Sequence, residues 1–278
     1  MVMKLAAIYN AWSDWDLLRL SVKNISPLVD VIIIIASVKS NFGEDHQIEY
    51  GNELQNGFIE IYQLEPDLKL QPSENERKKR NYGLQKAKEL GYTHFLMMDA
   101  DEFYEHNEFL KEKERFKNPD LLGLVCRTKV YFRESTLTVG YDVTLVPFIH
   151  KITPDLHFTW NIKYPFAFEG PRREIRIDPT RQLNITSGVE WSEITMHHMS
   201  WVRSDVRKKI RNSTARQNIE KSTIVLDYVN SKAGYYCEFY RAKIESCENL
   251  FNLPRIVDET ISSELNPSTI HNHPNRMG

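Results

Sequence analysis

The sequence predicts an α/β fold: a mostly parallel sheet flanked by helices, followed by additional strands and C-terminal helices. Three observations carry that prediction. Short apolar, strand-like runs alternate with helix-like segments from residue 4 to residue 98. One run, Val31-Ile32-Ile33-Ile34-Ile35-Ala36, is continuous and β-branched, as a strand covered on both faces requires. From Leu121 to Ile177 strand-like stretches dominate, broken by prolines at 147, 154, 165 and 171. Alternation implies a parallel sheet, and the later runs imply strands and loops packed beside it.

The elements follow in order. Lys4 to Tyr9 is a short apolar strand. Ser13 with Asp16 makes a capping-box-like start, after which Leu17, Leu18, Val22 and Ile25 recur at helical spacing. Val31 to Ala36 is the second strand and Phe58 to Tyr62 the third. Ser73 with Glu76 caps a second helix. Leu84, Ala87 and Leu90 give it an apolar face, and Gly91 ends it. Thr93 to Met98 is a fourth strand, delivering Asp99-Ala100-Asp101-Glu102. Asn107 to Phe116 reads as a short charged helix. Ser204 to Lys221 reads as a basic helix, and Tyr235 to Phe251 as a helix aromatic on one side. From Ser262 onward the chain is a polar tail.

Bulk properties bound the function. Of 278 residues, 41% are hydrophobic and 27% charged, as in a soluble globular protein. With 36 basic and 38 acidic side chains the net charge is −2, so the whole molecule is not a generic polyanion binder. Cys126, Cys237 and Cys247 lack metal-like spacing, and a sparse, odd set implies reduced thiols and a cytoplasmic protein. The first ten residues are too short an apolar run for a signal peptide. Val31 to Ala36 falls far short of the roughly 20 residues of a membrane helix, so no transmembrane segment is expected.

The chemistry concentrates where the fourth strand ends. Ligands of open α/β sheets bind beyond the carboxyl ends of the strands, and hard divalent cations prefer oxygen ligands. Asp99 and Asp101 are therefore candidate metal ligands. An Asp-x-Asp triplet alone reads equally as a solvated loop; the apolar strand and the capped basic helix before it supply the context. Alternate residues of a strand face opposite ways, so a turn is needed to aim both carboxylates at one ion. In the helix, Arg80 and Asn81 are candidates to hold phosphate or ribose, with Lys78 and Lys79 assigned to a solvated face. Tyr9, Asn10 and Ser37 stand at strand ends as base or ribose contacts. In Met196-His197-His198-Met199-Ser200-Trp201, one histidine is placed to complete a metal's ligand shell. Arg203, Arg207 and Arg211 recur at i, i+4 and i+8, either as a stripe that neutralises a phosphate or as an exposed amphipathic face.

Taken together, RNYGLQKAKELGYTHFLMMDADEF and HHMSWVRSDVRKKI resemble the family 2-like glycosyltransferases of the GT-A fold, over about residues 3–215. The resemblance implies a GT-A domain over 1–222, with a nucleotide-sugar-binding half (1–104) and an acceptor-binding half (105–222), and a C-terminal helical extension and tail over 223–278. It implies transfer of a sugar from a nucleotide-sugar, by default a UDP-sugar, with Mn²⁺ or Mg²⁺ as cofactor. Asp101 would be the main metal ligand, Asp99 would face metal or ribose, and His198 would be the later ligand. Arg80 and Asn81 would lie beside the nucleotide, and Arg203 or Lys209 would add positive charge at the leaving diphosphate. Glu174 takes the place of the catalytic base, with Glu169 second. Arg173 stands where histidine is common in the family, and Glu174 reads alternatively as a partner of Arg172 or Arg176 in a surface strand. The acidic cluster that such enzymes carry after the second strand is replaced by Ala36-Ser37-Val38-Lys39-Ser40, which leaves the base unassigned. A sugar, a lipid-linked glycan, a protein side chain and a modified nucleic-acid base are all open as acceptor; the expectation is a glycan or a modified DNA base such as hydroxymethylcytosine, which would have to be flipped out of a duplex. Two other classes stay open: a non-catalytic nucleotide- or glycan-binding module, and a nucleotidyltransferase. The latter is disfavoured because no glycine-rich loop with a basic residue follows the first strand.

Overall fold

A computed structural model of the chain describes residues 3–47, 58–160, 168–170, 173–213 and 221–261, without the side chains of 168–170, 173–176, 221 and 222. Strand β1 (Leu5–Ala11) leads into helix α1 (Trp15–Ile25), then strands β2 (Val31–Ala36) and β3 (Ile59–Gln63). Helix α2 (Pro72–Glu89) feeds β4 (His94–Asp99), and a turn at Ala100–Asp101 passes into the short β5 (Glu102–Phe103). Helix α3 (His106–Glu114) precedes the long strands β6 (Gly123–Phe132) and β7 (Glu134–Lys151). Strands β8 (Phe168–Gly170) and β9 (Arg173–Ile177) form an antiparallel pair, and a 3₁₀ turn at Pro179–Arg181 follows. Strand β10 (Val189–His198), helices α4 (Val206–Asn212) and α5 (Lys221–Asn230), and the short strands β11 (Tyr236–Cys237), β12 (Ala242–Lys243) and β13 (Glu245–Ser246) follow among the described residues.

The main sheet runs β3-β2-β1-β4-β7-β6-β10-β5. Its first four strands are parallel, and β7 is antiparallel to β4 and β6. Strand β9 pairs parallel to β7, and β13 antiparallel to it. The α/β class therefore holds, with a parallel half flanked by helices and extra strands beside it. Register sets Asn10 opposite both Ile35 and Asp99, so β1, β2 and β4 end along one edge.

Two core layers explain the strand sequences. Leu5, Ala7, Tyr9, Ile32, Ile34, Leu96 and Met98 pack against α1 and α3. Ala6, Ile8, Ile33, Ile35, Phe95 and Met97 pack against Leu84 and Ala87 of α2. Alternate residues of β2 thus enter different layers, and an unbroken isoleucine run satisfies both. Gly83 lets α2 approach closely: an added Cβ would sit 2.4 Å from Ile8 Cγ2 and 3.1 Å from Ile35 Cγ1. Gly83→Ala is therefore expected to destabilise the protein by about 1–3 kcal/mol through overpacking, against alanine's better helix propensity. Urea unfolding measures this, and a more stable variant would contradict the close approach.

Several elements differ from the sequence expectation. Helix α1 starts after Asp14, whose φ of 64° is left-handed, and Ser13 is not its cap. Helix α2 starts after Gln71, which forms a capping box with Glu74, and Pro72 occupies its first turn. Glu76 instead accepts a 2.6 Å hydrogen bond from Arg80 one turn on. The basic helix is shorter than expected: α4 ends at Asn212, and residues 214–220 lie outside the described residues. Asp205 caps α4 by accepting from the Lys208 backbone N–H. No helix spans Tyr235 to Phe251. Gly234 (φ 89°) and Arg241 (φ 51°) turn the chain there, and β11 and β12 form a hairpin. The aromatic spacing reflects packing of Phe239 and Tyr240 onto Trp201 and Phe132. The polar tail from Ser262 lies outside the described residues. Among those described, no helix is long and apolar enough to cross a membrane.

Candidate functional site

A polar cleft of about 220 Å³ opens where β1, β2 and β4 end. The chain after β1 (Asn10 to Asp14) and after β2 (Ser37 to Asn41) forms two walls, Glu76 and Lys79 of α2 a third, and Arg203 with Lys208 and Lys209 of α4 a fourth. Asp99 and Asp101 form the floor. The turn that the motif required is present, and it directs both carboxylates into this one space.

Asp101 is buried, paired with two cationic side chains and close to an imidazole. Its Oδ2 accepts from Arg203 at 2.7 Å and from Lys209 at 3.3 Å, and its Oδ1 lies 3.4 Å from His198 Nε2. Burial alone would raise the carboxyl; Lys209, His198 and Arg203 outweigh it and hold Asp101 well below the usual carboxylate range. Arg203 also donates to Asp14 at 2.8 Å, so one buried guanidinium spans the left-handed cap of α1 and the motif aspartate. Asp99 accepts from Arg181 at 2.7 Å and from Arg80 at 3.3 Å. Burial would raise this carboxyl too, but the two guanidiniums bring it down to about 2. Arg181 additionally clamps Glu102, which is wholly buried and accepts the Asp99 backbone N–H through Oε2.

Lys79 is buried at the cleft wall, donating to the Ala11 carbonyl at 2.6 Å and to Ser37 Oγ at 2.9 Å. Burial lowers its ammonium to about 7, partly opposed by Glu65, Asp99 and Glu76. Beside it, both polar side-chain atoms of Asn10 and the indole N–H of Trp12 are buried without a hydrogen-bond partner. Buried polar groups are nearly always satisfied, so these atoms mark the lining as built for a polar ligand. Lys208 Nζ lies 5.7 Å above the Trp12 ring.

The residues expected from the sequence divide as follows. Asn10, Ser37, Asp99, Asp101, Arg203 and Lys209 line the cleft, and His198 borders it through Asp101. Tyr9 does not: its hydroxyl pairs with Ser21 at 2.8 Å beneath the sheet, because its strand parity sends it to the α1 layer. Arg80 is buried and acts through Asp99 rather than lining the cleft. Asn81 faces away, exchanging two hydrogen bonds with the Phe158 backbone. His197 pairs with Tyr131 at 2.8 Å, and burial lowers it to about 4, so this histidine is a neutral packing residue. Glu174 lies on β9 opposite Glu169 of β8, and the side chains of both are outside the described residues. The arginine stripe is not a free face: Arg203 is buried, and Arg211 donates to Glu44 at 3.0 Å. Trp12, Asp14, Lys79 and Arg181 were not expected. Lys79 is the one with a sequence signal, since Asn75, Lys79, Gly83 and Ala87 form an i, i+4 stripe that turns inward and corrects its assignment to a solvated face.

The donor set can be tested against a hard dication. Among the described residues no group of three or more His, Cys, Asp or Glu side chains forms a complete cage. Mg²⁺ typically takes one or two protein ligands and completes its shell with phosphates and water, at metal–oxygen distances of about 2.0–2.1 Å. The 3.4 Å spacing of Asp101 Oδ1 and His198 Nε2 suits adjacent ligands of such an ion. Asp99 Oδ2 is committed to two arginines and fits a supporting position better.

No family model matches the chain, and no curated protein matches it. Among solved structures, S. aureus TarS 1–349 in complex with UDP-GlcNAc is 17% identical over 46% of this chain and 35% of that one, with a TM-score of 0.35. GalNAc-T7 with UDP, GalNAc and Mn²⁺ is 16% identical over 46% of this chain and 24% of that one, with a TM-score of 0.36. The chain thus spans about a third of the first and a quarter of the second. At these values the likeness assigns nothing, and the site's own geometry carries the reading that follows.

Proposed function

We propose that the chain is a GT-A-type glycosyltransferase that moves a sugar from a nucleoside-diphosphate sugar, by default a UDP-sugar, to a hydroxyl acceptor with Mn²⁺ or Mg²⁺ as cofactor. The observation that carries this reading is the convergence, at the strand ends, of Asp101 and His198 with Arg203, Lys208 and Lys209, beside the unpartnered polar atoms of Asn10 and Trp12. Asp101 and His198 would hold the cation, which when bound supplies Lewis-acid neutralisation of the leaving diphosphate. Lys208 and Lys209 place positive charge at the same end of the cleft, where charge grows as the glycosidic bond breaks. Asn10, Ser37 and Lys79 would face base and ribose. In an inverting reaction Glu174 would accept the proton of the acceptor hydroxyl, and it must then come within hydrogen-bond reach of that oxygen.

A glycan hydroxyl is the favoured acceptor. A flipped base in duplex DNA would need several free phosphate contacts, and the Arg203 and Arg211 positions of the stripe are already committed to Asp14, Asp101 and Glu44. Incubation with a panel of nucleotide-sugars, with and without Mn²⁺, tests the reading through release of free nucleotide. Metal-dependent release of one nucleotide is expected. Tight nucleotide binding with no release would favour the non-catalytic module instead.

Lys79 makes donor binding pH-dependent. Its folded-state value of about 7 lies below its ordinary 10.5 because burial disfavours the ammonium. An anionic donor binds the charged form better, so affinity is fullest below pH 7 and falls as pH rises through about 7. Titration calorimetry with UDP is expected to show up to roughly tenfold weaker binding at pH 8 than at pH 6 in excess of the Lys79→Met variant. Identical pH profiles for the two proteins would contradict this role.

A further inference from the structure

We infer that Asp14 is a positioning residue for the cation site: it holds Arg203 as an ionic partner and so frees Asp101 to turn to a divalent cation. This assignment rests on the cation role proposed above for Asp101 and His198. Asp14 stands at the cap position just before α1, in the left-handed conformation (φ 64°, ψ 36°). An aspartate at that position ordinarily has extended backbone and accepts a hydrogen bond from the second or third N–H of the helix. Here the side chain makes no cap hydrogen bond. It lines the cleft instead, where its Oδ2 accepts from Arg203 Nη1 at 2.8 Å and from Ser13 Oγ at 3.2 Å. A relinquished cap and a backbone conformation uncommon outside glycine, together at the cleft wall, point to a role for this carboxylate beyond helix stability.

Arg203 is anchored beside Asp101. Its side chain is 3% exposed. Nε donates to the Ser200 carbonyl at 2.7 Å, and Nη2 donates to Asp101 at 2.7 Å. Its own carbonyl accepts from the buried Tyr228 hydroxyl at 3.3 Å, and that hydroxyl accepts from the Asp258 N–H at 3.0 Å. Asp258 Oδ2 in turn accepts from the N–H of Val206, the first residue of α4, at 3.0 Å. The guanidinium therefore has no short path to water when a cation arrives. Among the described residues, Asp14 and Asp101 are the carboxylates that pair with it. Burial disfavours the charged guanidinium, and these two carboxylates outweigh it.

A buried charge that loses its partner is strongly destabilising. When Asp101 turns to a cation, Asp14 remains on the guanidinium and prevents that cost. Without the Asp14 charge, Asp101 stays drawn to Arg203, and the uncompensated guanidinium also repels the dication. The effect on the anionic half of a ligand is the reverse, because a diphosphate loses a repelling carboxylate. General damage to the cleft would weaken both halves alike.

Titration calorimetry of the full chain with Mn²⁺ alone and with UDP alone tests the role in Asp14→Asn, which keeps the shape of the side chain and the tolerance for left-handed backbone. Mn²⁺ affinity is expected to fall by about tenfold, as for other residues that support a metal's ligands, while metal-free UDP binds at least as tightly as it does to the unaltered protein. Unchanged Mn²⁺ affinity, or parallel weakening of Mn²⁺ and UDP, would overturn the role. A loss as complete as that in Asp101→Asn would make Asp14 a ligand itself and would overturn it too. Absent Mn²⁺ binding by the unaltered protein, or Mn²⁺ binding that persists in Asp101→Asn, would overturn the cation reading and the role of Asp14 with it.

Discussion

Asp101→Asn is expected to lower turnover of the nucleotide-sugar donor by roughly 10²–10³-fold, the usual cost of removing a group aimed at developing charge. The substitution keeps the shape of the side chain while removing the charge that Arg203, Lys209 and His198 share. Arg203 retains Asp14 as an ionic partner, so the variant should stay folded. Asp101→Ala is the poorer probe, because it also removes the hydrogen-bond acceptor facing a guanidinium that is 3% exposed. Steady-state turnover together with thermal unfolding separates the two effects. A folded Asp101→Asn protein with unreduced turnover would remove this aspartate from the chemistry.

Arg181→Ala should produce the largest loss of stability. Arg181 is nearly fully buried and is the ionic partner of Glu102, which is completely buried, and of Asp99. Its removal leaves buried carboxylate charge uncompensated, at about 3–5 kcal/mol. At roughly 2–4 °C per kcal/mol for a chain near this size, the melting temperature should fall by on the order of 10 °C. The acid side of the stability profile should change as well. The Asp99 carboxyl, held at about 2 in the folded protein against an ordinary 3.8, adds stability that is complete above about pH 4 and is lost as pH falls through about 2. Without Arg181 part of that increment should vanish while Arg80 keeps the rest, making stability between pH 2 and 4 less pH-dependent. A shift of the melting temperature below 1 °C would contradict the clamp.

The parts of the fold that could be read in the sequence were those with a periodic physical cause. Strand β2 was legible because burial on both faces demands an unbroken apolar run, and α2 because Leu84 and Ala87 recur at helical spacing, although Leu90, read on the same face, is exposed just past the helix end. The aspartates at the end of β4 followed from the rule that open α/β sheets bind ligands at their strand ends. Errors arose where one residue of phase decides direction. Tyr9 and Asn10 are adjacent, yet strand alternation puts Tyr9 in the α1 layer and Asn10 in the cleft. Arg80 and Asn81 are likewise adjacent, yet about 100° of helix rotation sends one to Asp99 and the other to Phe158. Arg181 and Asp14 were invisible because their roles arise from contacts spanning 82 and 189 positions of the chain, on which local patterning carries no information. The aromatic spacing from Tyr235 onward mimicked a helix, but left-handed residues and hairpin pairing produced it.

Crystals of the protein grown with a non-hydrolysable UDP-sugar and Mn²⁺ test the central claim most directly. The expected density places the diphosphate between the Asp101–His198 pair and Lys208 and Lys209, one cation touching Asp101, and the nucleoside against Asn10, Trp12 and Ser37. A donor bound elsewhere on the chain, or a cleft that stays closed on its Asp101–Arg203 ion pair at saturating donor, would contradict it.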